Sequence, residues 1–413
     1  MDGFVSGFLQ WLRSFSLIEL VALLIIPLIV DLPRSLGKCT VLLVDALYRK
    51  FNPHPVDENC RPLVSVVIPA RNEASSIGRT IEAALENWWP IKEVIVIDDG
   101  STDETYQTAL PYAANGKISL IRRVGSGSKA LAVNTGIADS RGDIIVVQDA
   151  DTLLERSALA ELVKPFSDPN VNAVSGNVRV LAGDHGNKGL LVKLQAYEYS
   201  MSMQMGRRFN ALVGTIAIIP GAFGGFRRTT AATLGYFDKD TMTEDFDMTL
   251  KLRKPKGSLR FASHAIAWTF VPDTWRSWIR QRTRWHKGQL ETLWKHRNIF
   301  LKQKFSIPLV VSLYDMLFMD ALLLVARTAW LFILLYLYFS NLWVLMYLYF
   351  LTFSLYFCSE LVVVFSAAVL SSSRSDLRYV ALMPLVVLLY RPLYGLVRLR
   401  GYLEFLAGRR REW

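Results

Sequence analysis

The chain has 413 residues, of which 52% are hydrophobic, and its formal net charge is +11 at pH 7. The length suggests two or three domains. The positive charge fits an anionic membrane face or a phosphate-bearing substrate, and nucleic acid is disfavoured because no recognition motif accompanies the charge. Cys39, Cys60 and Cys358 are too few and too scattered to predict a disulfide framework or a metal site.

Apolar residues are concentrated towards the two ends of the chain. Near the amino terminus, Leu17 to Val30 is apolar except for Glu19, and it lacks a small-residue cleavage site. The segment therefore predicts a membrane anchor rather than a signal peptide, with a buried helix of a soluble protein as the alternative. Residues 36–51 alternate apolar and basic positions and predict a helix in the membrane interface, so residues 1–50 form the first predicted domain.

Longer apolar tracts follow the central part of the chain and predict three or four transmembrane helices within residues 306–413. Ser340 and Asn341 predict a turn between two spans, and Arg391-Pro392 predicts that the last tract is a kinked span or a re-entrant helix. The basic tail GRRREW and the basic central domain predict that both lie on the cytoplasmic side of the plasma (inner) membrane. The tracts are Ile307 to Ala326, Ala329 to Leu370 and Tyr379 to Val397.

Between these ends, residues 51–275 alternate β-rich runs with amphipathic helical patterns. Repeated βαβ units predict an α/β domain with a doubly wound, Rossmann-like and mostly parallel sheet. Ligands of such sheets bind beyond the carboxyl ends of the strands. The predicted strands are Leu63 to Pro69, Val94 to Asp98, Ile118 to Ile121 and Asp143 to Asp151. The predicted helices begin at Ser75-Ser76, with Ile77, Ile81, Leu85 and Trp88 on one face, at Thr105 and at Lys129.

Two polar clusters follow the first two predicted strands. PARNE, Pro69 to Glu73, follows the first strand, and Asp98 and Asp99 of DDGSTDET end the second. Either motif alone is equally well explained as a turn or a helix cap. Because both strand ends face one crevice in a parallel sheet, the two motifs together predict a binding site.

The motif DAD follows the fourth predicted strand and contains Asp149 and Asp151. Side chains two positions apart on a strand point the same way, so the two carboxylates are predicted to lie close together and to repel each other. A divalent cation relieves such repulsion, and hard oxygen ligands suit Mg²⁺ or Mn²⁺, which bridge to phosphate oxygens. P-loop chemistry is disfavoured because the chain has no G-x-x-x-x-G-K-[ST] motif.

A further acidic group, in TMTEDFD, precedes an apolar helical pattern. The helix dipole favours an acidic residue at a helix start, which explains Glu244 or Asp247 singly but explains Glu244, Asp245 and Asp247 together less well. A carboxylate here is predicted to remove a proton from an attacking hydroxyl.

The pentapeptide QRTRW, Gln281 to Trp285, lies shortly before the C-terminal apolar tracts. Ser277 to Lys295 predicts an amphipathic helix with Trp278, Arg282 and Trp285 on one face, in an interfacial region of residues 276–305. Anchoring at a membrane surface is the alternative, and it explains the neighbouring tryptophans and arginines but not Gln281. Arginine presents a planar fork that binds phosphate oxygens, so the motif predicts a diphosphate site shared with the cation.

Together, the motifs PARNE, DDGSTDET, SKALAVNTG, DAD, SGNVR, PGAFGGFRR, TED and QRTRW resemble those of the inverting membrane glycosyltransferases of the cellulose, hyaluronan and chitin synthase group in family 2. The run as a whole, roughly Leu63 to Phe300, is most similar to bacterial poly-N-acetylglucosamine synthases. The resemblance implies a GT-A fold and a nucleotide-diphosphate sugar as the donor, usually UDP-linked.

The resemblance also implies a role for individual residues. Asp245 matches the general base, with Glu244 beside it, and Asp151 matches the residue that contacts Mg²⁺ or Mn²⁺ most directly, together with Asp149. The residues that match nucleotide-binding positions are Arg71, Glu73, Asp99, Lys129 and Asp149. The residues that match diphosphate-binding and acceptor-binding positions are Gln281, Arg284, Trp285 and Gly221, with Arg227 in the same motif as Gly221.

The expected enzyme is a metal-dependent hexosyltransferase or N-acetylglucosaminyltransferase that uses UDP-GlcNAc or UDP-Glc, extends a β-linked polysaccharide and passes it across the membrane. Glycolipid synthases that resemble ceramide glucosyltransferase have a similar [QR]-x-x-R-W motif, so single-sugar transfer to a membrane lipid is the alternative. A scaffold without catalysis is disfavoured by the intact DAD, TED and QRTRW motifs. The expected partners are the sugar donor, a polysaccharide or lipid acceptor, the bilayer and an accessory protein, without nucleic acid.

Overall fold

The computed structural model describes residues 2–16, 24, 26–52, 61–90, 92–125, 127–184, 186–253, 257–297, 307–316, 320–371 and 374–408. The chain divides into two compact units. We call the first the helical unit; it consists of Met1–Asn52 and Tyr314–Leu399. We call the second the α/β unit; it consists of Pro53–Leu313 and Arg400–Trp413.

The described residues of the α/β unit form an eight-stranded sheet. Its strands are β1 (Val64–Ala70), β2 (Lys92–Asp98), β3 (Ser119–Arg122), β4 (Ile144–Gln148), β5 (Thr152–Leu154), β6 (Val171–Gly183), β7 (Phe223–Arg227) and β8 (Ser258–Val271). Their order is β3-β2-β1-β4-β7-β6-β8-β5. The strands β3, β2, β1 and β4 run parallel to one another, and β6 runs parallel to β8. Because β7 is antiparallel to both of its neighbours and β5 is antiparallel to β8, the sheet is mixed.

Ten α-helices are described from Ile77 to Tyr314. They are α1 (Ile77–Leu85), α2 (Thr105–Ala114), α3 (Lys129–Asp139), α4 (Ala158–Val163), α5 (Leu190–Met201), α6 (Arg208–Leu212), α7 (Arg228–Thr233), α8 (Glu244–Leu252), α9 (Trp275–Lys295) and α10 (Ile307–Tyr314). A 3₁₀ turn, Lys164–Ser167, follows α4, and a π-helical turn, Ser202–Arg207, joins α5 to α6.

Helices cover both faces of the sheet because alternate residues of its central strands belong to two separate cores. Val66 and Ile68 of β1 lie in one buried cluster with Ile81 of α1. Val67, between them in the sequence, lies in the other cluster with Val133 of α3. A strand that is buried on both faces needs mostly apolar residues, which is why β1, β2 and β4 are rich in valine and isoleucine.

The first three predicted strands and the helices at Ser76, Thr105 and Lys129 are confirmed, with ends that differ by one to four residues. The fourth strand is shorter than predicted, because β4 ends at Gln148. Trp88 does not share the buried face of α1 and is 68% exposed. The reason is that α1 ends at Leu85, so helical periodicity no longer applies three residues later.

The described residues of the helical unit include two helices that are long and apolar enough to cross a membrane, by length and composition. They are Leu342–Leu370, with mean hydropathy 2.0, and Asp376–Leu406, with mean hydropathy 1.8, which continues beyond the unit; a shorter apolar helix, Leu322–Tyr338, precedes them. The turn predicted at Ser340-Asn341 is confirmed, and the Asn341 side chain caps the following helix by accepting the Val344 N–H at 3.4 Å. The final tract is a continuous series of helical turns from Arg374 to Leu406.

The remaining described helices of this unit are Asp2–Arg13 and Leu32–Phe51, with a π-helical turn at Ile26–Asp31. The helix Leu32–Phe51 covers all of residues 36–51, the segment for which an interfacial helix is predicted. Most of the predicted anchor, Leu17 to Val30, and residues 409–413 of the basic tail lie outside the described residues.

Two buried acidic side chains in the described part of the helical unit, Asp31 and Glu360, are paired. Asp31 lies 2.6 Å from Arg327 and also accepts a hydrogen bond from the Tyr356 hydroxyl. One turn further along the same helix as Tyr356, the buried Glu360 lies 2.5 Å from Arg391. Charges are costly within a bilayer unless they are paired, so these contacts are compatible with a membrane location of the helices.

Candidate active site

The loops that follow β1 and β2 are joined by hydrogen bonds at the carboxyl edge of the sheet. The Asn72 N–H donates to the Ser101 hydroxyl at 3.0 Å, and the Thr102 N–H donates to the Asn72 side-chain oxygen at 2.8 Å. The Glu73 N–H donates to the Thr105 hydroxyl at 2.7 Å. Asn72 has φ 57, a left-handed conformation that asparagine tolerates better than most residues. PARNE and DDGSTDET therefore form one structural element, as the sequence predicts for two strand ends that share a crevice.

Three predicted nucleotide-binding residues lie on this element. Arg71 is exposed, Glu73 is half-buried, and Asp99 is buried directly after β2, where its N–H donates to the Ala70 carbonyl at 2.9 Å. Burial raises the pKa of Glu73, and the nearby Asp149 carboxylate adds to this effect, although the Ser76 hydroxyl donates to Glu73 and opposes it. The Glu73 carboxyl is therefore close to the predicted metal site as well as to the nucleotide-binding loops.

Asp149 and Asp151 lie in a turn after β4, where the Thr152 N–H donates to the Asp149 carbonyl at 3.0 Å. The prediction that strand alternation aligns their side chains is wrong, because the strand ends at Gln148. Burial, and then the charges of Asp149 and Glu73, raise the pKa of Asp151 to about 7. The predicted repulsion is thus present, and it arises from the turn rather than from the strand.

These carboxylates fit a divalent cation. Like charges in a half-buried position favour an ion that neutralises them, and carboxylate oxygens suit Mg²⁺ or Mn²⁺. Among the described residues, no group of three or more His, Cys, Asp or Glu side chains converges as a complete metal site. Asp149 and Asp151 are the carboxylates that would hold such an ion, and the ion would supply positive charge there.

Lys129, the first residue of α3, links the DAD and TED motifs. Its ammonium group forms an ion pair with Asp149 and lies 3.6 Å from the Glu244 carboxylate. Burial lowers the pKa of Lys129, but the charges of Asp149 and Glu244 outweigh this effect, so its pKa is raised. A Cβ atom on Gly221 would lie 3.1 Å from the Lys129 ammonium, so a glycine keeps this approach open.

Glu244 and Asp245 begin α8 and face the same crevice. The Asp245 carboxylate accepts the Gly221 N–H at 3.2 Å and the Phe246 N–H at 2.7 Å. Burial raises the pKa of Glu244, with a further contribution from Asp245 that Lys129 opposes. The helix amino terminus and the two N–H donors hold the Asp245 carboxylate in a fixed orientation, which suits a proton acceptor.

Asp247, the third acid of TMTEDFD, points away from the crevice. It is fully buried, and its carboxylate lies 2.7 Å from the His296 ring and 3.0 Å from the Lys295 ammonium. The structure thereby explains why three acids stand together: two line the crevice, and the third connects α8 to the end of α9.

The helix α9 packs against the residue that precedes the TED acids. A Cβ atom on Gly288 would lie 2.7 Å from the Thr243 methyl group, and the hydroxyls of Thr243 and Thr292 are 3.1 Å apart. QRTRW lies on the same helix, one to two turns before Gly288. The predicted helix, Ser277 to Lys295, is confirmed and begins at Trp275, where Thr274 caps it.

The two arginines of QRTRW differ in environment. Arg284 is exposed, whereas Arg282 is 0% exposed. The Arg282 guanidinium lies 3.1 Å from the Glu198 carboxylate of α5, donates to the Gln281 side-chain oxygen, and lies 4.2 Å from the centre of the Trp285 ring. The amphipathic spacing of Arg282 with Trp278 indicates a buried position, but nothing in the sequence identifies Glu198 as its partner.

Arg227 lies at the opposite edge of the sheet from Gly221. It pairs with Ile144 at the start of β4, and its guanidinium donates to the carbonyls of Phe166 and Val171 at 3.0 and 3.1 Å. Both residues belong to the motif PGAFGGFRR, but Gly221 lies before the start of β7 and Arg227 lies at its end. A cavity of about 360 Å³ at Arg227 is lined by Pro62, Asp143, Arg227, Arg228 and Thr229, so it is remote from the crevice.

Comparison with known proteins supports these features. Residues 65–235 match the model of glycosyl transferase family 2. The chain is 29% identical over 273 residues to poly-beta-1,6-N-acetyl-D-glucosamine synthase of Staphylococcus epidermidis, a match that covers 66% of this chain and 63% of the relative. It is 28% identical over 253 residues to the synthase of the same name from Staphylococcus aureus, covering 61% and 60% of the two chains. The chain thus spans less than two thirds of the length of the curated relatives it matches.

The structure resembles that of the mannosyltransferase PcManGT from Pyrobaculum calidifontis, solved in complex with GDP-Man and Mn²⁺. The TM-score is 0.58 at 20% sequence identity, and the match covers 94% of this chain and 100% of the other. At that identity the likeness concerns the fold. Together with the matched family model, it confirms the predicted GT-A fold of the α/β unit accompanied by helical segments.

Proposed function

We propose that the chain is a membrane-embedded inverting glycosyltransferase that extends a β-linked polysaccharide from a nucleotide-diphosphate sugar, because residues 65–235 match the model of glycosyl transferase family 2. One observation carries the proposal: Lys129 joins the carboxylates that follow β4 to the carboxylates that begin α8. This contact brings a site suited to a diphosphate next to a site suited to proton removal.

The donor occupies the crevice beyond β1, β2 and β4. Arg71, Glu73 and Asp99 bind the base and ribose, and Lys129 stands beside Asp149 at the diphosphate. Names of the relatives favour UDP-GlcNAc as the donor, and UDP-Glc is the second choice. A divalent cation held by Asp149 and Asp151 would neutralise charge on the departing nucleoside diphosphate, and the structural neighbour was solved with Mn²⁺.

The acceptor hydroxyl attacks the anomeric carbon from the side of α8. Asp245 accepts the hydroxyl proton as the new glycosidic bond forms and the bond to the diphosphate breaks. Glu244 lies beside it with a raised pKa and helps to orient Lys129. The displacement inverts the configuration, and it requires no carboxylate nucleophile, unlike a retaining reaction.

QRTRW completes the acceptor side of the site. Arg284 is exposed on α9 and is the guanidinium that we assign to the diphosphate oxygens. Trp285 and Gln281 are half-buried and bind the acceptor sugar, the former by stacking on its ring. Gly221 leaves space for that sugar above the Lys129 ammonium.

We expect the product to be a polymer that is passed across the membrane, with the α/β unit on the cytoplasmic side of the plasma membrane and an accessory protein as a partner. Transfer of a single sugar to a lipid is the other candidate function, since two helices of the helical unit are suited to a bilayer and would give access to a lipid acceptor.

The experiment that tests the function uses the full-length protein in lipid vesicles with a panel of radiolabelled UDP- and GDP-sugars. Release of nucleoside diphosphate together with a ladder of labelled oligosaccharides supports the polymerase. One lipid-linked product supports the alternative. If no sugar is transferred from any donor, the proposal is wrong.

Arg284→Ala is expected to raise the KM for the nucleotide sugar and to lower kcat/KM about 10- to 100-fold, because a charge-assisted contact to phosphate is lost. The matched control is Arg280→Ala, which removes another exposed arginine one turn earlier on α9. Steady-state kinetics of diphosphate release measure both variants. Wild-type kinetics for Arg284→Ala would contradict the diphosphate role.

A further inference from the structure

Arg282 is one of two residues of QRTRW, with Thr283, to which neither the motif nor the proposed chemistry assigns a role. We propose that Arg282 is a positioning residue, which fixes the Gln281 amide so that it donates to the substrate and holds the Trp285 ring in place. The inference rests on the proposed function, since the substrate in question is the acceptor sugar or the diphosphate of the donor.

The burial of Arg282 argues against direct contact with substrate. Its side chain is 0% exposed, whereas Gln281 and Trp285 on either side are half-buried and Arg284 is exposed. A side chain that is enclosed by protein acts on a ligand through the residues that it touches. For Arg282 those residues include two members of the same pentapeptide, Gln281 and Trp285.

The contact with Gln281 has a definite chemical consequence. A guanidinium group carries donors and no acceptor, so it binds the oxygen of an amide and not the nitrogen. Arg282 therefore turns the Gln281 Oε1 atom towards itself. The amide NH₂ group then lies on the other side and presents donors, which suit a phosphate oxygen or a sugar hydroxyl.

The contact with Trp285 orients a ring. The guanidinium carbon lies 4.2 Å from the centre of the Trp285 ring, and it lies 5.8 Å from the centre of the Tyr199 ring. Stacking of a planar guanidinium on an aromatic face restricts the rotation of that ring, and lysine does not reproduce the planar contact. A sugar that stacks on Trp285 then meets a surface that is already in place.

The Arg282 side chain is held in place by an ion pair with a residue of another helix. Glu198 of α5 lies 3.1 Å from the Arg282 guanidinium, and its own side chain is largely buried. A charged group is seldom enclosed unless it is paired, so this contact lets a positive charge occupy the buried face of α9. An ion pair alone would explain Glu198 and Arg282, but it would not explain the contacts of Arg282 with both neighbours in the motif.

Gln281→Glu distinguishes the acceptor role of the amide oxygen from the donor role of the amide NH₂ group. The new carboxylate still accepts the hydrogen bond from Arg282, so the melting temperature is expected to stay within about 2 °C of the wild-type value, a change within the usual range for small surface effects. The hydrogen-bond donors of the Gln281 NH₂ group are lost, and the transfer rate is expected to fall about 10- to 100-fold. Gln107→Glu, the same change at an exposed position of α2, is the control.

A double-mutant cycle tests Arg282 itself. Arg282→Lys keeps the charge opposite Glu198 but removes the fork and the planar stacking, and we expect transfer to fall about tenfold. If Arg282 acts through its neighbours, adding Arg282→Lys to the double variant Gln281→Ala/Trp285→Ala causes little further loss. Thermal denaturation of each variant shows that it folds.

The outcomes distinguish this inference from the proposed function. Full transfer activity in Gln281→Glu, or a tenfold further loss when Arg282→Lys is added to Gln281→Ala/Trp285→Ala, would overturn the positioning role alone. Wild-type protein that transfers no sugar would overturn the function and the role together. Rate losses confined to the predicted variants, with melting temperatures preserved, support both.

Discussion

Asp245→Asn is expected to lower the transfer rate about 10²- to 10⁴-fold, because an amide cannot accept the proton of the acceptor hydroxyl. The substitution is nearly isosteric, and the single amide oxygen can still accept one of the two N–H groups that the carboxylate accepts, that of Gly221 at 3.2 Å or that of Phe246 at 2.7 Å. The KM for the nucleotide sugar should therefore change little. Initial rates of diphosphate release, measured at saturating donor, report the loss.

The control for this substitution is Asp240→Asn. Asp240 is an exposed acid five residues earlier, and it forms a surface ion pair with Lys295 at 2.7 Å, a kind of contact that contributes little to stability. Its variant should retain the wild-type rate. Retention of the full transfer rate by Asp245→Asn would instead contradict the assignment of Asp245 as the proton acceptor.

Chelation of divalent cations with EDTA is expected to reduce transfer at least about 100-fold, because stabilisation of the leaving diphosphate by a cation contributes several kcal/mol. Added Mn²⁺ or Mg²⁺ should restore the rate, and EDTA saturated with Mg²⁺ beforehand serves as the control. Asp151→Asn should raise the cation concentration needed for half-maximal rate. Full turnover in EDTA would refute the assignment of Asp149 and Asp151 as metal ligands.

The parallel half of the sheet could be predicted from the sequence because its signals are local. The strands β1, β2 and β4 are rich in valine and isoleucine, as burial on both faces requires. The other half of the sheet could not be predicted, because β6 and β8 contain buried polar residues whose hydrogen-bond partners lie elsewhere in the chain. Asn177, in the middle of β6, donates to the Ser263 carbonyl at 2.7 Å, a pairing between distant segments that no short window contains.

The candidate site shows the same division. Motif spacing identified the residues at the strand ends, and the structure brings Glu73, Asp149 and Lys129 together there. Motif spacing did not identify the buried pair of Glu198 and Arg282, because an ion pair between two helices leaves no periodic pattern in the sequence of either helix. Motif spacing also grouped Gly221 with Arg227, although Gly221 precedes β7 and Arg227 ends it, so the two residues lie at opposite edges of the sheet.

The hydrogen bonds between Asn72 and the Ser101-Thr102 segment have a consequence for how the chain selects its donor. When the loops of a binding pocket are already held together by hydrogen bonds, ligand binding does not have to offset the free-energy cost of ordering them. Such a pocket also cannot widen to admit a larger base without breaking bonds on both loops. Under the proposed function, in which these loops hold the base of a UDP-linked donor, retargeting the protein to a purine nucleotide should therefore require coordinated changes in both loops, and no single substitution in either loop should suffice.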